Sequence, residues 1–259
     1  MTAAWNLWAS PIRFAATSYV LRVTANATTE NLTFPASGSL DTESDYWMLD
    51  DGDTSDSLPK LLELCLESHS QIATATVEVD TTTSTISTRL NIVTDVSAQI
   101  LWTHGSTTLD KDIFGFNAGT SGTDVDSNYM PQGLWRPRLG AFIDSRDRQP
   151  NAGGLTRALS GATRVVQNAV SPKERDIAYR YLHKSRALDE YVDALEPYNT
   201  FEKLRANAIV LGRPLRFCEN EEIRTSPVEY RTRSIEDTLA IMSPPNLVWW
   251  ECSLSLVRT

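Results

Sequence analysis

Between residues 46 and 116 the spacing of apolar side chains changes period, and the rest of the chain reads outward from there. Leu58, Leu61, Leu62, Cys65 and Leu66 recur at intervals of three and four, which predicts a helix from Leu58 to Ser68 with one apolar face. Ser55 and Ser57 are both placed to cap it, Pro59 suits the first turn, and Asp56 complements the helix dipole. The period then falls to two. Val77 and Val79 alternate with Thr76, Glu78 and Asp80; Ile86, Leu90 and Ile92 alternate with Ser87, Arg89 and Asn91. This predicts an antiparallel hairpin turning through residues 80–84. Threonine fills 7 of the 15 positions from 74 to 88, which suits strands with one solvated face. A third strand is expected from Ala98 to Trp102, and Ile113-Phe114-Gly115-Phe116 closes the module.

The flanks are less regular. Phe14 to Thr24 and Asn31 to Phe34 have strand composition, and Trp5, Trp8 and Pro11 precede them as an apolar arm. Such an arm packs on its own domain or reaches a neighbouring subunit, and the sequence leaves both open. Residues 117–161 mix seven glycines with three prolines and read as a long irregular segment, with Trp135-Arg136-Pro137-Arg138 as an anchor inside it. Beyond it, Thr163–Val170 and Arg175–Leu182 can pair as a hairpin, although Ser171 and Glu174 also form a capping box for a helix. The hairpin is favoured, followed by short helices at about 188–195 and at 201–211, the second ended by Gly212. Strands are expected at 215–218 and 228–233. From Val248 to Leu256 apolar and polar residues alternate strictly, which marks a final strand.

The expected fold class is therefore α+β and β-rich. An N-terminal helix-plus-antiparallel-hairpin module (1–118, helix 58–68) is followed by an irregular linking loop (119–161). A C-terminal antiparallel β lobe with short helices (162–259) completes it.

Charge sharpens this picture. Residues 1–131 carry 5 Lys+Arg against 17 Asp+Glu, a net −12, while residues 132–259 carry 19 against 16, a net +3. An acidic front half does not attract nucleic acid, which needs clustered cations. It suits a basic protein neighbour or simple solubility. No apolar run approaches the roughly 18–20 residues that cross a bilayer, and the N-terminus shows no signal-like pattern, so synthesis in the cytosol is expected. Cys65, Cys218 and Cys252 sit apart in apolar settings and are expected as buried free thiols.

Candidate chemistry is sparse. His69, His104 and His183 lack partners at ligand spacing, and no nucleophile elbow, phosphate loop or dinucleotide fingerprint is present. No catalytic residue and no cofactor are expected. Asp50, Asp51, Asp53 and Asp56 surround Gly52 and could offer oxygens to a hard cation, against the plainer reading of an acidic helix start. Arg224, Tyr230, Arg231 and Arg233 suggest RNA contact, but the neighbouring glutamates favour salt-bridged strands. Trp5, Trp8, Trp135 and Trp249 are the candidate interface residues. Trp135, Trp249 or Trp250 could alternatively stack on sugar rings in a carbohydrate- or surface-binding module.

One resemblance emerges from these segments. The acidic turn, Asp56-Ser57-Leu58-Pro59-Lys60-Leu61-Leu62, the Thr-rich hairpin, Gln99-Ile100-Leu101-Trp102 and Ile113-Phe114-Gly115-Phe116 together resemble modules of tailed-bacteriophage virion proteins. Gly212-Arg213-Pro214-Leu215-Arg216-Phe217, Val228-Glu229-Tyr230-Arg231 and Trp249-Trp250-Glu251-Cys252-Ser253-Leu254 are similar to tail-tip or baseplate proteins. The resemblance implies a β-rich subunit without chemistry of its own, meeting copies of itself in a ring and other tail proteins. Residues 117–161 fall outside it.

Overall fold

The computed structural model describes residues 7–49, 55–80, 88–136, 142–148, 153–157, 163–167, 174–181, 201–218, 228–242 and 247–258. Two large antiparallel sheets and a two-stranded ribbon account for most of them, with two short helices.

The five-stranded sheet is built on β5 (Arg89–Ile100). Its first half pairs with β4 (Ala75–Asp80) and its last residues with β2 (Tyr19–Ala25), while β6 (Thr120–Asp126) pairs with both halves. β3 (Thr28–Phe34) completes the sheet beside β2. The strands expected at 86–92 and 98–102 are thus one strand, Ile86 lying outside the described residues. Its pairing with β6 slips between Val93 and Ala98. The even-numbered positions keep facing the core along the whole strand, but the polar Thr94 among them and the apolar, exposed Val93 beside it hide that continuity in the sequence.

Helix α1 (Leu58–Glu67) packs on β4 and β3 through Leu58, Leu62, Cys65 and Leu66. Ser57 is the N-cap, accepting from the Lys60 N–H at 3.4 Å, and Pro59 occupies the first turn. Pro59 was readable from the sequence, and of the two caps offered there, Ser55 and Ser57, the second is the one used.

The β2–β3 hairpin turns on Asn26 and Ala27, at φ 47° and 64°. Two-residue hairpin loops with both centres at positive φ match strand twist but favour Asn-Gly, because an L side chain there costs roughly 1–2 kcal/mol. Ala27→Gly is expected to stabilise the protein by about 0.5–1 kcal/mol, after allowing for glycine's greater freedom in the unfolded chain. A melting temperature raised by about 1–3 °C checks this.

The seven-stranded sheet runs β7 (Leu134–Trp135), β1 (Leu7–Ala9), β12 (Leu215–Cys218), β13 (Val228–Met242), β14 (Leu247–Arg258), β11 (Glu174–Tyr181), β8 (Phe142–Arg148). Three expectations change here. The N-terminal strand, assigned to the first module by position, is hydrogen-bonded between β12 and β7. The segment read as irregular holds β6, β7, β8 and β9 (Gly153–Arg157). The strands near 163 and 175 exist but are not partners: β10 (Thr163–Gln167) pairs with β9, and β11 lies between β14 and β8. Helix α2 (Phe201–Arg205) continues into a π turn (Ala206–Val210) that ends at Gly212 (φ 61°), as expected for a left-handed terminator. The helix expected at 188–195 lies outside the described residues.

Period two explains how the molecule holds together. On β1, Leu7 and Ala9 face one hydrophobic core while Trp8 faces a second. Cys218 and Leu134 join the first core; Leu215, Phe217 and Trp135 join the second. The β7–β1–β12 edge is therefore apolar on both faces, and short strands with almost no surface tie the two cores together.

Candidate functional site

The tryptophans proposed as contact residues divide three ways. Trp8 is fully buried, stacked on Phe217 with ring centroids 4.2 Å apart, and its Nε1 donates to the Tyr179 hydroxyl at 2.7 Å. Trp135 lies opposite Trp8 in register, is also buried, and meets Tyr179 edge-on at 5.4 Å. Both serve this chain's own core, so neither presents a face to a neighbour or a sugar. Trp249 lies in β14 opposite Ala240. Trp5 is outside the described residues.

Of the four candidate metal ligands, Asp50, Asp51 and Asp53 are outside the described residues, and Asp56 is engaged elsewhere. Its carboxylate accepts from Arg216 at 3.2 Å. That guanidinium is nearly buried, lies 4.0 Å over the Trp47 ring, and has Glu229 at 3.8 Å. Burying a cation is costly unless opposite charge and an aromatic face compensate, and here both do. Asp56 therefore joins the helix start to β12. Among the described residues no group of three His, Cys, Asp or Glu is placed to hold a metal ion.

The two described histidines have local roles, and His183 lies outside the described residues. His69 is buried and its Nδ1 accepts from the Gln71 N–H; His104 Nδ1 accepts from the Ser106 N–H in an exposed turn. The suggested basic strand is dispersed: Tyr230 is buried and Arg233 pairs with Glu174 at 2.9 Å.

Cys65 and Cys218 are buried and form no disulfide, and burial pushes both thiols up to about 12. A thiol at that value is about a thousandfold poorer in thiolate at pH 8 than an ordinary one. Iodoacetamide at pH 8 is therefore expected to spare both residues in the native protein and to modify both in denaturant, as read by peptide mass mapping. Since the folded values lie above the unfolded ones, the linked stability is complete below pH 9 and is lost as pH rises towards 12.

One cleft stands out among the described residues, with a volume of about 210 Å³. Three distant segments form it: residues 10–13 after β1, residues 132–135 around β7, and residues 203–213 of α2 and the π turn. Asn207 Nδ2 donates to Ser10 Oγ at 3.0 Å, and Arg213 donates to the Pro11 carbonyl at 3.3 Å, so the segments are fastened across it. Among the described lining residues Arg13, Lys203 and Arg213 are cationic and none is acidic, while just outside the lining Asp45 pairs with Arg13 and Asp112 lies near Lys203. Arg13 bonds Asp45 at 2.7 Å, and that carboxylate holds its guanidinium above the usual range. Among the described residues this cleft gathers cations on a chain of net charge −9. The sequence reading missed it because its cations come from segments about 200 residues apart.

Neither a known protein-family model nor a curated protein sequence matches this chain. Among the described residues no helix is long and apolar enough to cross a membrane.

Proposed function

We propose that this chain is a non-enzymatic structural subunit of a tailed-bacteriophage virion, made in the host cytoplasm and built into the tail. Its place is the tail tip, the baseplate or a distal tail ring, where it contacts copies of itself and neighbouring tail proteins and needs no cofactor. In this reading α1 and the β4–β5 hairpin act as the N-terminal module, and the seven-stranded sheet is the C-terminal lobe.

The observation that carries the reading is the segregation of charge over a body with two hydrophobic cores. Glu78, Asp124 and Asp126 lie exposed on the five-stranded sheet, while the cations of the cleft gather at the edge of the other. Closed rings form when one patch meets a different patch on the next copy, and opposite charges favour that arrangement. Burial of Trp135 removes one stacking platform from the sugar-binding alternative, and no observation favours that reading.

Quantitative mass spectrometry of purified tailed particles from the producing culture tests the proposal. The expected result is this chain in the particle at a copy number divisible by three. Its presence in the cell lysate but absence from intact particles would overturn the reading.

A further inference from the structure

An edge strand presents a row of main-chain N–H and C=O groups that another strand can pair with, and proteins usually guard such edges. In the five-stranded sheet β4, β6 and β3 each have one, and two of the three are guarded. On β4 the outward N–H groups of Ala75 and Val77 donate to Glu67 at 3.2 Å and to Glu63 at 3.4 Å, so helix α1 covers that edge with its own carboxylates. On β6 the Ser127 N–H donates to Leu90, which turns Asp124 and Asp126 outward. Both are exposed, and charge along an edge discourages a further strand.

β3 has neither device. Its hairpin with β2 closes on the pair Ala25 and Thr28, which fixes the phase: residues 28, 30, 32 and 34 bond to β2, while Thr29, Asn31 and Thr33 turn their main-chain groups outward. The other side of β2 agrees. Val20 and Arg22, opposite Thr33 and Asn31, bond there with Leu101, Thr107, Thr108 and Leu109. Among the described residues nothing bonds to the outward main chain of β3, which runs seven residues without a register shift, lysine or proline. The outward residues are exposed, and two of their side chains are drawn back across the sheet. Thr29 Oγ1 lies 2.8 Å from Thr24 Oγ1, and Asn31 Oδ1 accepts from Arg22 at 3.0 Å. What this edge offers a partner is its main chain.

We infer that β3 pairs antiparallel with β3 of a second copy, about a two-fold axis at Asn31, and joins two five-stranded sheets into one. A second copy is the occupant because the outward residues Thr29, Asn31 and Thr33 read the same in both directions. In that register Asn31 faces Asn31 of the second copy and Thr29 faces Thr33, each pair exchanging two main-chain hydrogen bonds. Threonine pairs are favourable across strands, and Glu30, the one charged residue of β3, falls opposite Leu32 rather than opposite its own copy. A two-fold contact is self-complementary, so it is separate from the head-to-tail contact of a ring and does not rest on the tail reading. It contains no ion pair, so salt leaves it in place. Being one strand wide, it belongs with weak, transient interfaces.

Sedimentation equilibrium at up to about 1 mM chain and about 0.5 M salt tests this. The parent chain is expected to dimerise. Asn31→Pro removes an N–H that the fold does not use, and is expected to weaken dimerisation at least tenfold with an unchanged circular-dichroism spectrum. Asn31→Cys locates the axis. Under mild oxidation it is expected to form a covalent dimer at least tenfold faster than Thr29→Cys or Thr33→Cys, neither of which faces its own copy. A parent chain that stays monomeric leaves the edge to some other chain and overturns the second-copy assignment. A folded Asn31→Pro chain that dimerises as tightly as the parent, or a Thr29→Cys chain that cross-links as fast as Asn31→Cys, would each overturn the pairing. None of these results bears on whether the chain is found in purified particles.

Discussion

Replacing Trp8 by alanine is expected to destabilise the protein by about 3–5 kcal/mol, in the range found for deleting a fully buried large aromatic side chain. Trp8 has no exposed surface; it stacks on Phe217 and donates to the Tyr179 hydroxyl. Its neighbours on both sides in the sheet, Trp135 and Phe217, are themselves buried, so little can collapse into the space. Trp8→Phe keeps much of the stacking and loses the donor, and the expected cost falls to about 1–2 kcal/mol. Urea unfolding followed by far-ultraviolet circular dichroism measures both. If Trp8 were an anchor for a neighbouring subunit, Trp8→Ala would leave monomer stability within about 0.5 kcal/mol, as surface changes do.

Gly115→Ala is the second large effect, expected at about 2–5 kcal/mol from left-handed strain plus overpacking. Gly115 has φ 79°, and an added Cβ would lie 2.2 Å from the Tyr129 carbonyl oxygen. The turn cannot move away easily. Tyr129 N–H donates to the Gly115 carbonyl at 2.8 Å, and Phe116 N–H to the Lys111 carbonyl at 3.0 Å. On either side Phe114 and Phe116 are fully buried, with ring centroids 5.8 and 4.9 Å from that of Trp102. Calorimetric melting, with tryptophan fluorescence to follow Trp102, checks the prediction. A loss below about 1 kcal/mol would mean that the turn relaxes where the packing says it is pinned.

The features legible in the sequence were those whose causes are local. The α1 face, the Ser57 cap, the Gly212 stop and the buried Leu254 and Leu256 of the last strand each follow from residues a few positions apart. What escaped depends on distant partners. β6 reads Thr-Ser-Gly-Thr-Asp-Val-Asp, a poor strand by composition, and it is a strand because β5 pairs with it. β1 and β7 are too short to show a period, yet they join two cores. The Asn26-Ala27 turn lacks the glycine that would have announced it. The strand at 174–181 was readable, but its partners, about 70–80 residues ahead in β14 and about 25–40 residues behind in β8, were not. The cleft is the extreme case, since Arg13, Lys203 and Arg213 become neighbours only after both sheets have formed.

The most direct measurement is the native mass of the purified chain by light scattering across concentration and salt. An assembling subunit with complementary charged surfaces is expected to give a species of three, six or twelve copies at low salt and to dissociate as salt rises. A monomer at every concentration and every salt would contradict assembly through the chain's own surfaces.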